Sequence, residues 1–308
     1  MKSVAVVMST YNGEKYLREQ LDSILCQAGV EVSLFVRDDG SSDGTKGILS
    51  DYAEKYGNVH VEFAENVGVG ESFMNALYST PDTFDYYAFA DQDDIWLKEK
   101  LSVATEVLEE SGKSLYASNQ ENVDKDGNSL GLRWKQNDER VFLTPEGIIS
   151  TNVLCGCTMV FTNEFKRIIA DRAVRPSSVV LRLKNHDGWI ALIAAMSEAI
   201  VYDNNSYIKY RQHGNNVVGA YKTSFGKKLK AKFKKLFRPE LRNYRSHTAR
   251  ELCLRFPQLT RNFPLIEICA NSKKYKGKRA ILKNQKKLRS FTGESYMVFR
   301  LKVMFGLF

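Results

Sequence analysis

A chain of 308 residues with 43% hydrophobic and 26% charged side chains can bury a sizeable core, and it is neither disordered nor collagen-like. The net charge of +9 divides unevenly: residues 1–221 hold 21 Lys+Arg against 32 Asp+Glu, a balance of −11, and residues 222–308 hold 24 against 4, a balance of +20. An acidic body with a strongly basic tail implies that the two parts meet different partners, with a boundary near Tyr221.

The five cysteines are odd in number and scattered, which argues against a disulfide scaffold and fits a reducing cytosol. The apolar start, Val4 to Met8, is too short for a signal-peptide core or a spanning helix, and so is the run Trp189 to Met196. The expectation is a soluble, cytoplasmic chain.

In chain order, Val4–Met8 predicts a strand buried on both faces. Gly13–Gln27 follows with Tyr16, Leu17, Leu21, Ile24 and Leu25 at helical spacing. Glu31–Arg37 is a second strand and ends in Asp38-Asp39-Gly40-Ser41-Ser42-Asp43-Gly44. Thr45–Tyr56 is helical, Val59–Ala64 a third strand, Gly70–Ser79 a helix, and Asp85–Ala90 a fourth strand that runs into Asp91-Gln92-Asp93-Asp94. Such alternation implies βαβ units: an α/β fold with a Rossmann-like, mostly parallel sheet flanked by helices. After residue 114 the alternation loosens. Ser114–Ser118 and Cys157–Thr162 are candidate strands, and the polar stretch Asn119–Arg140 is a candidate loop or lid. Asp187–Ala199 is a helix, Ile200–Tyr202 and Tyr207–Tyr210 are short extended segments, and Lys-rich helical patterns dominate from Thr223.

Ligands of open α/β sheets bind beyond the carboxyl ends of the strands. Three polar clusters fall there: Ser9-Thr10-Tyr11-Asn12, Asp38-Asp39-Gly40-Ser41 and Asp91-Gln92-Asp93-Asp94. Such residues also make turns and cap helices, and Ser42 or Asp43 suits an N-cap as well as a ligand. Three aspartates at one strand end, however, repel one another unless a cation sits between them. Asp-x-Asp suits a divalent metal that keeps waters and takes phosphate oxygens from a substrate.

Other chemistries lack their signatures. Gly68-Val69-Gly70-Glu71-Ser72-Phe73 has Phe73 in place of the third glycine of a dinucleotide fingerprint. A P-loop and a nucleophile elbow are absent, and Cys155-Gly156-Cys157 has no second Cys/His pair at zinc spacing. His186-Asp187-Gly188-Trp189 opens an apolar helix as an Asp cap with a Trp anchor would. Tyr210-Arg211-Gln212-His213-Gly214-Asn215-Asn216 gathers a cation, an imidazole and amides suited to phosphate or metal, although a lone His is more often structural.

Val6 to Gly13, Arg37 to Thr45, Asn66-Val67-Gly68 with Asn75, and Asp91-Gln92-Asp93-Asp94-Ile95-Trp96 resemble the successive motifs of family 2 glycosyltransferases, across roughly residues 3–220. The Asp-Gln-Asp-Asp-x-Trp form, with His186-Asp187 and Tyr210-Arg211-Gln212-His213, is similar to the bacterial rhamnosyltransferase-like subgroup, although Gly188 stands where that subgroup has a Trp. The resemblance implies a glycosyltransferase A fold and transfer of a sugar with inversion, from a dTDP- or UDP-sugar to a saccharide or lipid-linked saccharide. It implies that Thr10, Tyr11, Asn12, Asp39, Asn66, Gly68, Asn75, Asp91, Gln92 and Arg211 hold the nucleotide-sugar. Asp93 and His213 would hold Mg²⁺ or Mn²⁺, Asp187 would be the general base, and His186 and Trp189 would face the acceptor. The implied organisation is a catalytic domain over 1–221, with a nucleotide-sugar half of about 1–113 and an acceptor half of about 114–221, then a basic helical region over 222–308.

Rhamnosyl transfer in cell-surface polysaccharide assembly leads, with galactosyl or glucosyl transfer as the alternative. A nucleic-acid-binding protein using the basic region is the alternative from another class. It needs aromatic residues interleaved with basic ones, and Leu229, Phe233, Leu236 and Phe237 fit an amphipathic helix face better. The basic region suits an anionic membrane surface, with packing on the acidic body or a homo-oligomer contact as the competing uses.

Overall fold

The structure, a computed structural model, describes all residues except 139–142, 152 and 214–243. The Lys-rich start of the basic region, with Leu229, Phe233, Leu236 and Phe237, lies outside the described residues, as do Gly214-Asn215-Asn216, Tyr221 and the end of the expected loop at Arg140.

Helices and strands alternate through the first half of the chain: β1 (Lys2–Thr10), α1 (Leu17–Leu25), β2 (Val30–Asp38), α2 (Thr45–Lys55), β3 (Val59–Phe63), α3 (Val69–Ser79), β4 (Tyr86–Ala90), β5 (Ile95–Trp96) and α4 (Lys100–Ser111). Then come β6 (Leu115–Val123), β7 (Ser129–Leu132), α5 (Pro145–Ser150), β8 (Met159–Thr162), α6 (Asn163–Ala170), α7 (Ser178–Met196) and β9 (Ile200–Arg211). The last described stretch is helical: α8 (Tyr244–Arg255), α9 (Pro257–Thr260), α10 (Pro264–Ala270), α11 (Tyr275–Lys283), α12 (Gln285–Thr292) and α13 (Tyr296–Met304).

Contacts divide the chain into two compact units. The first comprises Met1–Asp138, Leu154–Asp171 and Glu198–Gly219, and the second comprises Glu139–Val153, Arg172–Ser197 and Ala220–Phe308. The division by contacts groups 172–197 with the helical stretch, a finer partition than the single boundary expected near Tyr221. Charge marked the composition change, but buried apolar residues such as Ile148, Ile149 and Trp189 decide the packing.

The first unit is one sheet in the order β3-β2-β1-β4-β8-β6-β9-β5, with β7 on β6. The expected parallel pattern holds for β3-β2-β1-β4 and again for β6 with β9, while β5, β7 and β8 pair antiparallel. The sheet is therefore mixed. Strand alternation feeds both layers. Val4, Val6 and Met8 join Leu17, Leu21, Ile24, Leu49, Leu101 and Leu108 in one core. On α3 and α6, Phe73 meets Phe89 edge-on at 5.7 Å, and Phe161 meets Phe165 at 6.2 Å. Both faces are covered by helices, which explains the unbroken apolar run of β1.

The Asn119–Arg140 stretch is not a plain loop. Strand β6 runs on to Val123 and β7 pairs back on it through Glu121↔Leu132, with Asp124 Oδ1 accepting the Asp126 and Asn128 N–H groups in the turn. Its polarity hid a strand because all of β7 is exposed. In the helical unit Trp189 is fully buried, its ring 6.2 Å from that of Phe256. Helix α7 breaks at Asn185, where φ is 57° and ψ 176°, so the helix expected from Asp187 begins at this break.

Candidate active site

The four strand-end segments of β1, β2, β3 and β4 meet beyond the sheet. Asp38, fully buried, accepts the Thr10 hydroxyl at 3.1 Å and the Ser41 N–H and hydroxyl at 2.9 and 2.5 Å, so it locks the ends of β1 and β2 together. Asn12, at φ 50°, donates its N–H to the Ser41 hydroxyl and accepts the Ser42 N–H at 2.8 Å. Asp39 takes the Arg37 guanidinium at 2.5 Å and the Val67 and Gly68 N–H groups at 3.0 and 2.9 Å. Gly68, at φ 88°, starts α3 there. Arg37 continues to the Ser72 hydroxyl and the Glu65 carbonyl. Tyr11 projects into solvent, while Gln92 grips its backbone from both sides, accepting its N–H at 2.8 Å and donating to its carbonyl at 3.1 Å. Asn66 and Asn75 are exposed near these loops.

The acidic segment after β4 joins this rim through Gln92. His213 Nε2 is 2.6 Å from Asp93 Oδ2, and both side chains are mostly buried. Burial is the main reason the Asp93 carboxyl titrates above its ordinary range. Asp94 is fully buried; it accepts the Arg211 N–H at 3.1 Å through Oδ1, and its Oδ2 has no partner. Burial, then the charges of Asp93 and Asp91, push the Asp94 carboxyl well up. Acceptor atoms of Asp91, Asp94 and Cys157 lie within 4.8 Å of one another. An excess of buried carboxylate with an orphaned oxygen fits a divalent cation, and the carboxylate oxygens suit Mg²⁺ or Mn²⁺.

Arg211 braces this segment, where the resemblance implies a diphosphate contact. Buried beneath the Tyr16 ring at 4.6 Å, it donates from Nε to the Asp93 carbonyl, from Nη1 to the Lys125 carbonyl and from Nη2 to Glu19 at 2.5 Å. Trp189 and His186 are buried in the helical unit, and burial pushes the His186 pKa down to about 3, so its ring is neutral at physiological pH. Asp187, two residues after the α7 break, is half-buried and accepts the Gly188 N–H at 2.6 Å.

Several supporting residues were not singled out in the sequence. Lys100 is buried with its ammonium 3.8 Å over the Trp96 ring, and burial pushes its pKa down to about 8. Lys100 carried a readable signal, since it opens a helix only six residues after the acidic cluster. Arg37 showed only as the first residue of its motif, and Glu19 carried no signal because it sits on a helix face.

Comparison with known proteins gives the family. The model of "Glycosyl transferase family 2" matches residues 5–168. The chain is 32% identical over 237 residues to the dTDP-rhamnosyl transferase RfbG of Shigella flexneri, covering 74% of this chain and 78% of the relative. It is 32% identical over 130 residues to the putative teichuronic acid biosynthesis glycosyltransferase TuaG of Bacillus subtilis, covering 40% and 51%. Among solved structures, S. aureus TarS 1-349 in complex with UDP-GlcNAc superposes with a TM-score of 0.57 at 22% identity, covering 85% of this chain and 73% of that one.

Proposed function

Because the chain belongs to glycosyl transferase family 2, we propose that it is an inverting, metal-dependent transferase moving rhamnose from dTDP-rhamnose to a saccharide or lipid-linked saccharide in cell-surface polysaccharide synthesis. The observation that carries this reading is the Asp93–His213 pair set among Asp91 and Asp94 beyond β4, joined to the Tyr11 rim through Gln92. The identity to a dTDP-rhamnosyl transferase supports the donor.

In this reading Thr10, Tyr11, Asn12 and Asp39 shape the base pocket, with Asn66, Gly68 and Asn75 on the wall behind and Asp91 and Gln92 toward the sugar. A divalent cation held by Asp93 and His213 would supply charge neutralisation for the departing diphosphate. Asp187 takes the proton of the acceptor hydroxyl as its oxygen attacks the anomeric carbon and the bond to the diphosphate breaks, so inversion needs one base on the acceptor side. The catalytic domain in this proposal spans 1–221, with its nucleotide-sugar half over about 1–113. No described helix is long and apolar enough to cross a membrane, and we place the enzyme peripherally on a cytoplasmic membrane face.

A donor screen tests the reading. With Mn²⁺ present, dTDP-rhamnose is expected to be hydrolysed faster than UDP-galactose or UDP-glucose; equal or faster turnover of either UDP-sugar would replace the rhamnosyl assignment with the hexosyl alternative.

Gly13 offers a test of the rim. A Cβ there would run into Gln92 Oε1, and that side chain can swing away. Swinging away, however, breaks both hydrogen bonds that hold the Tyr11 backbone. Two bonds worth about 1 kcal/mol each set the expected loss. Gly13→Ala should raise the donor KM by up to about thirtyfold, with Tm shifted by only a few degrees. A large fall in Tm with an unchanged donor KM contradicts this account.

A further inference from the structure

Helix α13 carries apolar residues on two sides, and only one of them is covered. Phe299 and Val303 are buried, and the Phe299 ring meets Phe308 edge-on at 5.5 Å. At 100° per residue, Met297, Val298, Leu301, Met304 and Phe305 fall on the opposite side, in a stripe about 120° wide. These five are exposed, Met297 at 70% and Phe305 at 71%. A contiguous apolar stripe exposed on a helix ordinarily marks a face that another surface covers. Arg300 and Lys302 flank the stripe on its two edges.

The surroundings state what kind of cover would fit. Residues 273–302 hold eleven Lys and Arg and a single acidic residue, Glu294, which pairs with Lys302. Helices α11 and α12 pack against α13, and Lys283, Asn284, Lys286, Lys287 and Ser290 line a basic recess on them. Tyr275, at the start of α11, is exposed at 81%. An apolar stripe edged by cations and backed by a basic surface matches a headgroup–acyl boundary, where apolar side chains sink in while Lys and Arg meet lipid phosphates. A protein partner would have to supply a strongly acidic rim around a small apolar groove.

We propose that the α13 stripe, with the basic residues of α11 and α12, is the surface by which this protein lies on an anionic lipid bilayer. The site rests on the peripheral placement proposed above but is independent of the sugar transferred. Helix α13 is about 13 Å long, enough to lie in the interface and too short to cross it. Charge draws the protein to the bilayer, and the stripe holds it there.

Vesicle sedimentation with the full chain tests this. At low salt the protein is expected to sediment with vesicles of phosphatidylglycerol and phosphatidylcholine and to stay in solution with phosphatidylcholine alone. Replacing two exposed side chains in L301Q/F305Q should weaken binding at least tenfold, with donor hydrolysis in solution unchanged. Met297→Ser, at the other end of the stripe, should weaken it in the same direction. Vesicle binding equal to wild type in both variants overturns the proposal, as does failure of the wild type to bind phosphatidylglycerol vesicles. A lipid-free dimer that L301Q/F305Q dissociates also overturns it, because a second copy would then cover the stripe. Unchanged donor hydrolysis beside lost vesicle binding separates this surface from the glycosyltransferase reading, which fails only if hydrolysis is absent throughout.

Discussion

Asp93→Ala is expected to reduce donor turnover by roughly 1000-fold, because the charge stabilisation supplied through this carboxylate is worth several kcal/mol and each 1.36 kcal/mol is tenfold. The fold should survive. Burial raises the Asp93 carboxyl above its ordinary value of 3.8 and raises Asp94 further. A carboxyl whose folded pKa is raised favours the folded state below 3.8 and loses that contribution as pH rises through the higher folded value. Without a cation the wild type should therefore lose stability as pH climbs from about 4 toward neutrality. Adding Mn²⁺ should reverse this: at 100 times its dissociation constant a bound ion stabilises by about 2.7 kcal/mol, read as several degrees of Tm. The increment should shrink at pH 4 and vanish in Asp93→Ala. Full transfer activity in excess chelator, or a Tm response to Mn²⁺ in the alanine variant equal to wild type, would contradict the assignment.

The second large effect is expected at Asp187. Its carboxylate accepts the Gly188 N–H at 2.6 Å just after the α7 break, and the amide oxygen of an asparagine can accept the same bond. What the amide cannot do at neutral pH is take a proton from a sugar hydroxyl. Asp187→Asn is therefore expected to keep folding and donor binding near normal while transfer falls on the order of 100-fold or more, the usual scale of general-base catalysis. Donor hydrolysis by water should fall less than transfer to acceptor. Wild-type transfer in Asp187→Asn would return Asp187 to the role of a helix-end residue and move the search for the base to Asp94.

The strand ends were legible because the chemistry there is local. Val4–Met8, Glu31–Arg37 and Asp85–Ala90 each run straight into their polar clusters, so periodicity placed Thr10, Asp39 and Asp93 at one edge of the sheet before any contact was known. What lay beyond reach was long-range. Glu19 reaches Arg211 across 192 residues, and no local pattern announces such a pair. Strand β7 escaped because an exposed strand need not alternate, and the antiparallel insertion of β8 between β4 and β6 follows from chain return, not from any residue in Met159–Thr162. Trp189 carried two expectations: the residues alone read as a core anchor and the resemblance as an acceptor-side group. Its indole is fully buried, as the first requires.

The interleaving of the two units bears on how the chain is made. The Thr151 hydroxyl donates to the Phe291 carbonyl, and Arg245 donates to the Ser150 carbonyl, contacts that span 140 and 95 residues. During N-to-C synthesis, Ile148, Ile149 and Trp189 emerge long before Phe256 and the helices α8, α10 and α12 that pack on α5 and α7 exist to cover them. The helical unit must close late, against a large loop-closure entropy, and its apolar segments stay exposed to aggregation in the interval. A gene truncated after residue 221 would leave them exposed permanently. Such a fragment should collect in inclusion bodies even though it holds every described strand of the sheet, and co-expressing residues 222–308 as a separate chain is the remedy this order of assembly suggests.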